Sequence, residues 1–434
     1  MTRNSSPFPF PPLHIAVLAF PFGTHAAPLL ALAGRLARAL PATARFSFLS
    51  TPKSIAALSF SANIKPFAVS DGVPEREVVG NPHVAAGFFV RAAPENFRKG
   101  IKEAEEDAGV RVGCLLTDAF LWSSQHRSHS LHCRNSLAPP VITGNETKNA
   151  DQTLDFIPGL SAVHTDDLPD GILHGDLESP IACLLHAMGQ KLPTATAVVL
   201  NSFEELEPAT TADLKSKLRK VLHVAPPPPA QSSPSNDESG CLSWLDCRST
   251  ASVAYVSFGT ITTPPRHEVL GLAEALEEGK VPFIWSIRDL SRHLLPEGFE
   301  ERTASFGKVV SWAPQWRILD HNSVGVFVTH CGWNSVLESI TGGVPMICRP
   351  FFGDQMLNSR LVQDTWRIGV RIEGGVFTKT STRDVLELVL NHGKGQKMRE
   401  NTKALKLSAL KAVAPSGTST QNFNALLDII KAYN

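Results

Sequence analysis

The chain is predicted to fold as two doubly wound α/β domains, each a mainly parallel sheet with helices on both faces. Three observations predict it. Short β-rich apolar runs alternate with segments of helical apolar spacing through both halves, the pattern of parallel strands joined by crossover helices. Between the halves, four consecutive prolines, Pro226 to Pro229, lead into Ser, Asn, Asp and Glu, a composition that cannot pack a core and reads as an exposed linker. The 434 residues also exceed what a single core serves at roughly 100 to 200 residues per domain.

Leu13 to Phe20 is apolar and β-rich, the turn Pro21 to His25 follows, and Leu29, Leu32, Leu36 and Leu40 recur at helical spacing. Arg3 ahead of that apolar run loosely imitates a secretion leader. The run is short and Pro11 and Pro12 interrupt its approach, so it is taken as a first buried strand. Arg45 to Leu49, Val112 to Thr117 and Ala195 to Leu200 supply further strands. Beyond the linker come Val253 to Ser257, then a helix capped by Thr263 with prolines in its first turn and Val269, Leu272, Ala273 and Leu276 on one face. Val281 to Ile287, Lys308 to Ser311, Gly325 to His330 and Val344 to Cys348 continue the strands, and Phe423 to Tyr433 is a last apolar helix. The expected division is a first domain over 1–225, a linker over 226–240, a second domain over 241–415, and a C-terminal helix over 416–434 that packs back on the first domain. Ligands should bind in the cleft at the carboxyl ends of the strands.

Composition excludes several function classes. Lys and Arg total 41, as do Asp and Glu, so no global field attracts nucleic acid or an anionic membrane. No apolar stretch reaches the 18 or more residues of a membrane span. Seven scattered cysteines without a C-x-x-C pair fit neither a disulfide framework nor a zinc finger, and imply a reduced, cytoplasmic chain. A monomer is expected. P-loop, G-x-G-x-x-G, H-E-x-x-H and G-x-S-x-G motifs are absent. So is D-x-D, so an anionic leaving group must be stabilised by the protein itself.

The chemistry concentrates in the 44 residues from Trp312 to Gln355. There an apolar strand ends at His330, a Cys-Gly turn follows, and Asn334 and Ser335 open a helix. A helix N-terminus presents free N–H groups to a diphosphate, to which His330, Asn334 and Ser335 add side-chain donors. Glu338, one turn on, can accept both hydroxyls of a ribose. Trp312, with Gln315 beside it, can stack on a nucleobase. Singly, Trp312 and Trp333 could be core aromatics, Glu338 a solvated helix residue and Asn334 a cap; together, after strand ends, they describe a nucleotide site. His25 lies in a turn between the first strand and helix, and Asp118 at another strand end, the pairing a general base and its orienting acid require.

This stretch, with WAPQ, FVTHCGWNS, LES, GVP and the closing Asp-Gln, resembles the signature box of plant family 1 UDP-glycosyltransferases. Outside it FPFGTHAAPLL, RAAPENFR, NSFEELEP, VSFGTITTPP, LPEGF, RPFFGDQ and GVRIEGGVFTK are similar to the branch that glucosylates the 3-hydroxyl of flavonols and anthocyanidins. The resemblance covers the chain except about residues 123 to 143. It implies a GT-B fold of two Rossmann-like domains and an inverting, metal-independent transfer of glucose from UDP-glucose, with no cofactor besides that donor. It implies that Trp312 stacks the uracil with Gln315 alongside and that Glu338 binds the ribose. Thr260, His330, Asn334 and Ser335 would hold the diphosphate and Asp354 and Gln355 the sugar, with Trp333 in the same UDP-sugar site. His25 would be the base and Asp118 its partner.

The departures set a competing expectation. Family members continue from the Asp118 strand into an amphipathic helix, a strand and a Trp-Thr-Ala-Gly loop. Here Ser123 to Ser136 is a His/Ser/Arg tract, read as an irregular loop, with Thr143 in Val-Ile-Thr-Gly beyond it. His126, His129, His132 and Cys133 as metal ligands are outweighed by a solvated loop. His83 and Pro169 stand where amide side chains are common in this branch. A non-catalytic UDP-sugar or flavonoid binder with a damaged acceptor domain is the alternative.

Overall fold

Parallel strands whose carboxyl ends share one rim account for the placement of nearly every candidate residue. The computed structural model describes residues 13–22, 24–74, 82–121, 153–224 and 237–433. The tract at 123–143 and its histidines, Thr143, and the linker up to residue 236 lie outside the described residues, as does the side chain of His83.

In the first half β1 (His14–Leu18) leads to α1 (Ala26–Ala39), β2 (Arg45–Ser50), α2 (Pro52–Ala56), β3 (Ile64–Ala68), α3 (Pro82–Ala108) and β4 (Cys114–Thr117). The strands form a parallel sheet in the order β3-β2-β1-β4. β1 is buried along its whole length, as a central strand covered on both faces must be. Because β1 lies between β2 and β4, with Leu18 opposite both Leu49 and Thr117, the order of strands reverses between β1 and β4 and opens a crevice at their carboxyl ends. β3 carries Pro66, which removes a ladder donor and is accommodated because β3 is an edge strand. α4 (Pro180–Lys191), β5 (Val198–Leu200), α5 (Pro208–Lys217) and β6 (Val221–His223) follow, and β5 and β6 form a separate parallel pair among the described residues.

In the second half α6 (Cys241–Asp246), β7 (Val253–Ser257), α7 (Arg266–Glu278), β8 (Phe283–Ser286), α8 (Phe299–Thr303), β9 (Gly307–Val310), α9 (Gln315–Leu319), β10 (Val324–Thr329), α10 (Trp333–Gly342), β11 (Met346–Cys348), α11 (Gln355–Arg360) and β12 (Gly369–Arg371) alternate in sequence. All six strands are parallel, in the order β12-β11-β10-β7-β8-β9. The switch point therefore falls between β10 and β7, whose ends are level at Thr329 and Ser257. Val269, Leu272, Ala273 and Leu276 of α7 are fully buried against this sheet with Trp285 and Phe299, as their spacing predicts. Thr263 does not cap α7. The helix begins at Arg266 behind Pro265, and the Thr263 hydroxyl instead meets Ser291 Oγ at 3.0 Å and receives Arg288 at 3.0 Å. Two prolines before the helix lock the chain extended, which carries Thr263 too far from the first helical N–H groups to accept from them.

After β12 come α12 (Lys379–Asn391), capped by Thr378, then α13 (Gly393–Ala412) and α14 (Thr418–Lys431). α14 buries Leu426, Leu427 and Ile430 in one cluster with Ile15, Val17 and Leu222 of the first half. Among the described residues no helix is long and apolar enough to cross a membrane.

Candidate active site

The turn after β1 places His25 directly before α1, and Asp118 follows β4, the strand paired to β1. His25 Nδ1 lies 2.9 Å from Asp118 Oδ2, while Asp118 Oδ1 accepts the backbone N–H of Phe120 at 2.9 Å. Phe20 and Phe120 pack on the imidazole with ring centroids 5.2 and 5.0 Å away. The ring is thus held in one orientation by a carboxylate that is itself fixed by a backbone donor. A carboxylate only accepts, so Nδ1 carries the proton and Nε2 is the basic nitrogen. Side-chain exposure of 38% for His25 against 12% for Asp118 lets a ligand reach the base but not the acid behind it.

Across the cleft, α10 starts at Trp333 behind Gly332. Asn334 is the second helical residue rather than its cap, and its side chain spans the two halves. Asn334 Nδ2 donates to Thr24 Oγ1 at 3.0 Å, next to His25, and its Oδ1 accepts Asn201 Nδ2 at 3.2 Å. Trp333 turns its indole N–H onto Asn201 O at 2.8 Å and packs near Trp366, so its side chain joins the packing between the two halves. Thr24 and Asn201 have no place among the sequence candidates, although both stand inside quoted motifs. A threonine beside a histidine and an asparagine after a strand carry no spacing signal of their own.

The imidazole of His330, at the end of β10, is half-buried, and desolvation lowers its pKa to about 4, so it is neutral at pH 7. Its Nδ1 is buried without a partner among the described residues. Two glycines make room for it. A Cβ on Gly259, which has φ of +74°, would stand 2.9 Å from the ring, and one on Gly332 would stand 2.5 Å from Nε2. Between them Cys331 takes a positive φ of 63°, a left-handed conformation that costs a non-glycine residue about 1–3 kcal/mol and concentrates at functional turns. Thr260 follows β7 on the opposite lip of the switch point, exposed, with its carbonyl accepting Arg288 Nη1 at 2.9 Å.

Trp312 is 60% exposed after β9, so its indole is not a core residue. Gln315 does not stand free beside it. Its Oε1 accepts the Tyr255 hydroxyl at 3.2 Å, and its Nε2 donates to Ser335 Oγ at 3.0 Å and Glu338 Oε2 at 2.5 Å. Gln315 thereby clamps Glu338, whose carboxyl burial pushes upward in pKa against the opposing Gln315 hydrogen bond.

Asp354 and Gln355 follow β11 and open α11. Gln355 is buried and its Oε1 accepts the backbone N–H groups of Phe351 and Phe352 at 2.9 and 3.3 Å. Backbone N–H groups can only donate, so the carbonyl end is committed and the amide NH2 is left to act as a donor. Asp354 is exposed as a residue, with one carboxyl oxygen turned onto Asn358. Desolvation raises its pKa, opposed by the Asn358 hydrogen bond and by His25 across the cleft. Asn358 ties Asp354 Oδ2 to the Cys331 carbonyl, at 2.9 and 3.0 Å, and so joins the start of α11 to the turn after His330.

Residues 233–416 match the family model described as UDP-glucoronosyl and UDP-glucosyl transferase. A flavonol 3-O-glucosyltransferase of Actinidia chinensis var. chinensis is 58% identical over 96% of this chain and 97% of its own. An anthocyanidin 3-O-galactosyltransferase of Rhododendron delavayi is 47% identical over 97% and 98%. The crystal structure of a UDP-glucose:anthocyanidin 3-O-glucosyltransferase in complex with UDP superposes with a TM-score of 0.88 at 41% identity, over 97% of this chain and 99% of that one.

Proposed function

The chain belongs to the plant family 1 UDP-glycosyltransferases, with their GT-B fold of two Rossmann-like domains, and from that membership we propose that it transfers glucose from UDP-glucose to the 3-hydroxyl of a flavonol or anthocyanidin. The observation that carries the proposal is the His25–Asp118 pair, assembled at 2.9 Å and facing a helix N-terminus across the cleft. A non-catalytic binder has no use for an imidazole whose basic nitrogen is exposed and whose other nitrogen is locked.

In this reading residues 1–225 bind the acceptor and 241–415 the donor. Trp312 stacks the uracil, and Glu338, steadied by Gln315, takes the ribose hydroxyls. Thr260, His330, Asn334 and Ser335 surround the diphosphate at the N-terminal end of α10, where the dipole favours negative charge. Asp354 accepts from sugar hydroxyls and the Gln355 amide donates to one. His25 Nε2 removes the phenolic proton as the acceptor oxygen attacks the anomeric carbon. The bond from that carbon to the diphosphate breaks, UDP leaves, and the α-linked donor becomes a β-glucoside. Asp118 stabilises the imidazolium that forms, and the proton then passes to solvent. A cytosolic monomer is part of the proposal, and six free cysteines among the described residues support a reducing compartment.

The test is purified protein with UDP-glucose and a flavonol, with the product identified by mass and by its β linkage. His25→Ala should lower turnover about 10² to 10⁴-fold while UDP affinity holds. Loss of UDP affinity in that variant would place His25 on the donor side and sink the assignment.

A further inference from the structure

A buried ionic cluster that the mechanism leaves unused joins the two halves. Residues 153–168 belong by sequence to the first half but pack on the second. Leu154 and Val163 are fully buried in a cluster with Met346, Cys348, Leu361 and Trp366. At the end of this segment the Asp167 side chain, 3% exposed, meets two arginines. Arg360 Nε donates to its Oδ2 at 2.7 Å and Arg371 Nη1 to its Oδ1 at 3.0 Å. The backbone N–H of His164 also donates to Oδ2, at 3.1 Å. Arg360 is the last residue of α11, the helix that Gln355 opens, and it is braced by Asp364 at 3.1 Å. Arg371 closes β12 and lies within 4.0 Å of Met356 Sδ, the residue after Gln355.

A carboxylate shared by two guanidinium groups in a dry setting fixes angles as well as charge, because each planar fork accepts few directions. We propose that Asp167 is a positioning residue for the donor sugar. By holding Arg360 and Arg371 it sets the roll of α11, and with it Asp354 and Gln355, and it ties that setting to the acceptor-side segment that continues into Pro169. The inference rests on the reading of Asp354 and Gln355 as the sugar's ligands. None of the groups assigned to uracil, ribose or diphosphate is bonded to Asp167, so the effect should fall mainly on the glucosyl moiety.

Calorimetry with UDP and with UDP-glucose on the full chain separates the possibilities. Asp167→Asn should hold UDP affinity within about twofold while UDP-glucose weakens about tenfold, the scale on which small misplacements and site couplings act. The catalytic preference for UDP-glucose over UDP-galactose should narrow in parallel, and Asp167→Glu should restore part of both. Equal weakening of the two ligands would make the cluster a plain stability element and overturn the proposal, as would no change in either. Should Asp167→Asn fail to fold, Asp167→Glu and Arg371→Lys carry the same comparison, with UDP binding as the check on folding. Asp354→Ala and Gln355→Ala serve as controls. If they too leave UDP-glucose affinity intact, the sugar-ligand reading falls and takes this inference with it; if they lose it and the Asp167 variants do not, this inference alone falls.

Discussion

Asparagine at position 118 should be more damaging than alanine, the reverse of what size and polarity suggest. Asp118 spends one oxygen on the backbone N–H of Phe120 and the other on His25 Nδ1, each at 2.9 Å. In Asp118→Asn the Phe120 N–H keeps the amide oxygen, so the amide NH2 is turned toward Nδ1. Two donors cannot face each other, and Nδ1 must give up its proton to become an acceptor. The proton then resides on Nε2, the nitrogen that has to receive the phenolic hydrogen, and the base is blocked rather than merely unassisted. Rotating the amide to free the base would leave the Phe120 N–H without its acceptor beside a side chain only 12% exposed, at a cost of about 1–3 kcal/mol. Asp118→Ala removes orientation and charge but lets the ring choose its tautomer. Turnover should therefore fall in the order wild type, alanine, asparagine, with the asparagine variant down by about 10² to 10⁴, or about 3 to 5 kcal/mol in the barrier. Initial rates at saturating UDP-glucose and flavonol, with UDP affinity from calorimetry, measure this. An asparagine variant faster than the alanine one refutes the tautomer argument.

Gly259→Ala should lose about 1–2 kcal/mol of stability from its left-handed backbone and weaken UDP binding by pushing on His330, whose ring atom would lie 2.9 Å from the new Cβ; urea unfolding and calorimetry check both. His330 titrates near pH 4 when folded and at 6.5 when unfolded, so its contribution is present above pH 6.5 and is lost as pH falls toward 4, up to about 3 kcal/mol over that window. His330→Gln should flatten that part of the pH dependence of urea unfolding, and an unchanged slope would mean the imidazole is not desolvated. Gln355→His replaces the buried amide donor at the start of α11 by imidazole and should lower the ratio of kcat/KM for UDP-glucose over UDP-galactose by about tenfold.

What the sequence made legible follows from how far each signal reaches along the chain. Strand, turn and helix are local patterns, so the strands ending at Leu18, Thr117, Ser257 and Thr329 could be laid out from apolar runs, and the residues just past them assigned to a cleft by the geometry of parallel sheets. Edge elements were harder. β3 hides behind Pro66, and β6 and β12 are each three residues long, shorter than any periodicity can register. Contacts between distant segments were not legible at all. Asn201 and Asn334 are 133 positions apart, and Asp167 and Arg371 are 204 apart. Neither pair differs in type from the solvated polar residues around it until the fold closes. The same holds for Gln315, whose place beside Trp312 suggested a base contact, while its hydrogen bonds go to Tyr255, Ser335 and Glu338. Residues that touch a ligand follow strand ends and can be found one half at a time. Residues that hold those ligands' contacts in place lie between the halves, and only the closed structure brings Asp167 to α11 or Asn201 to α10.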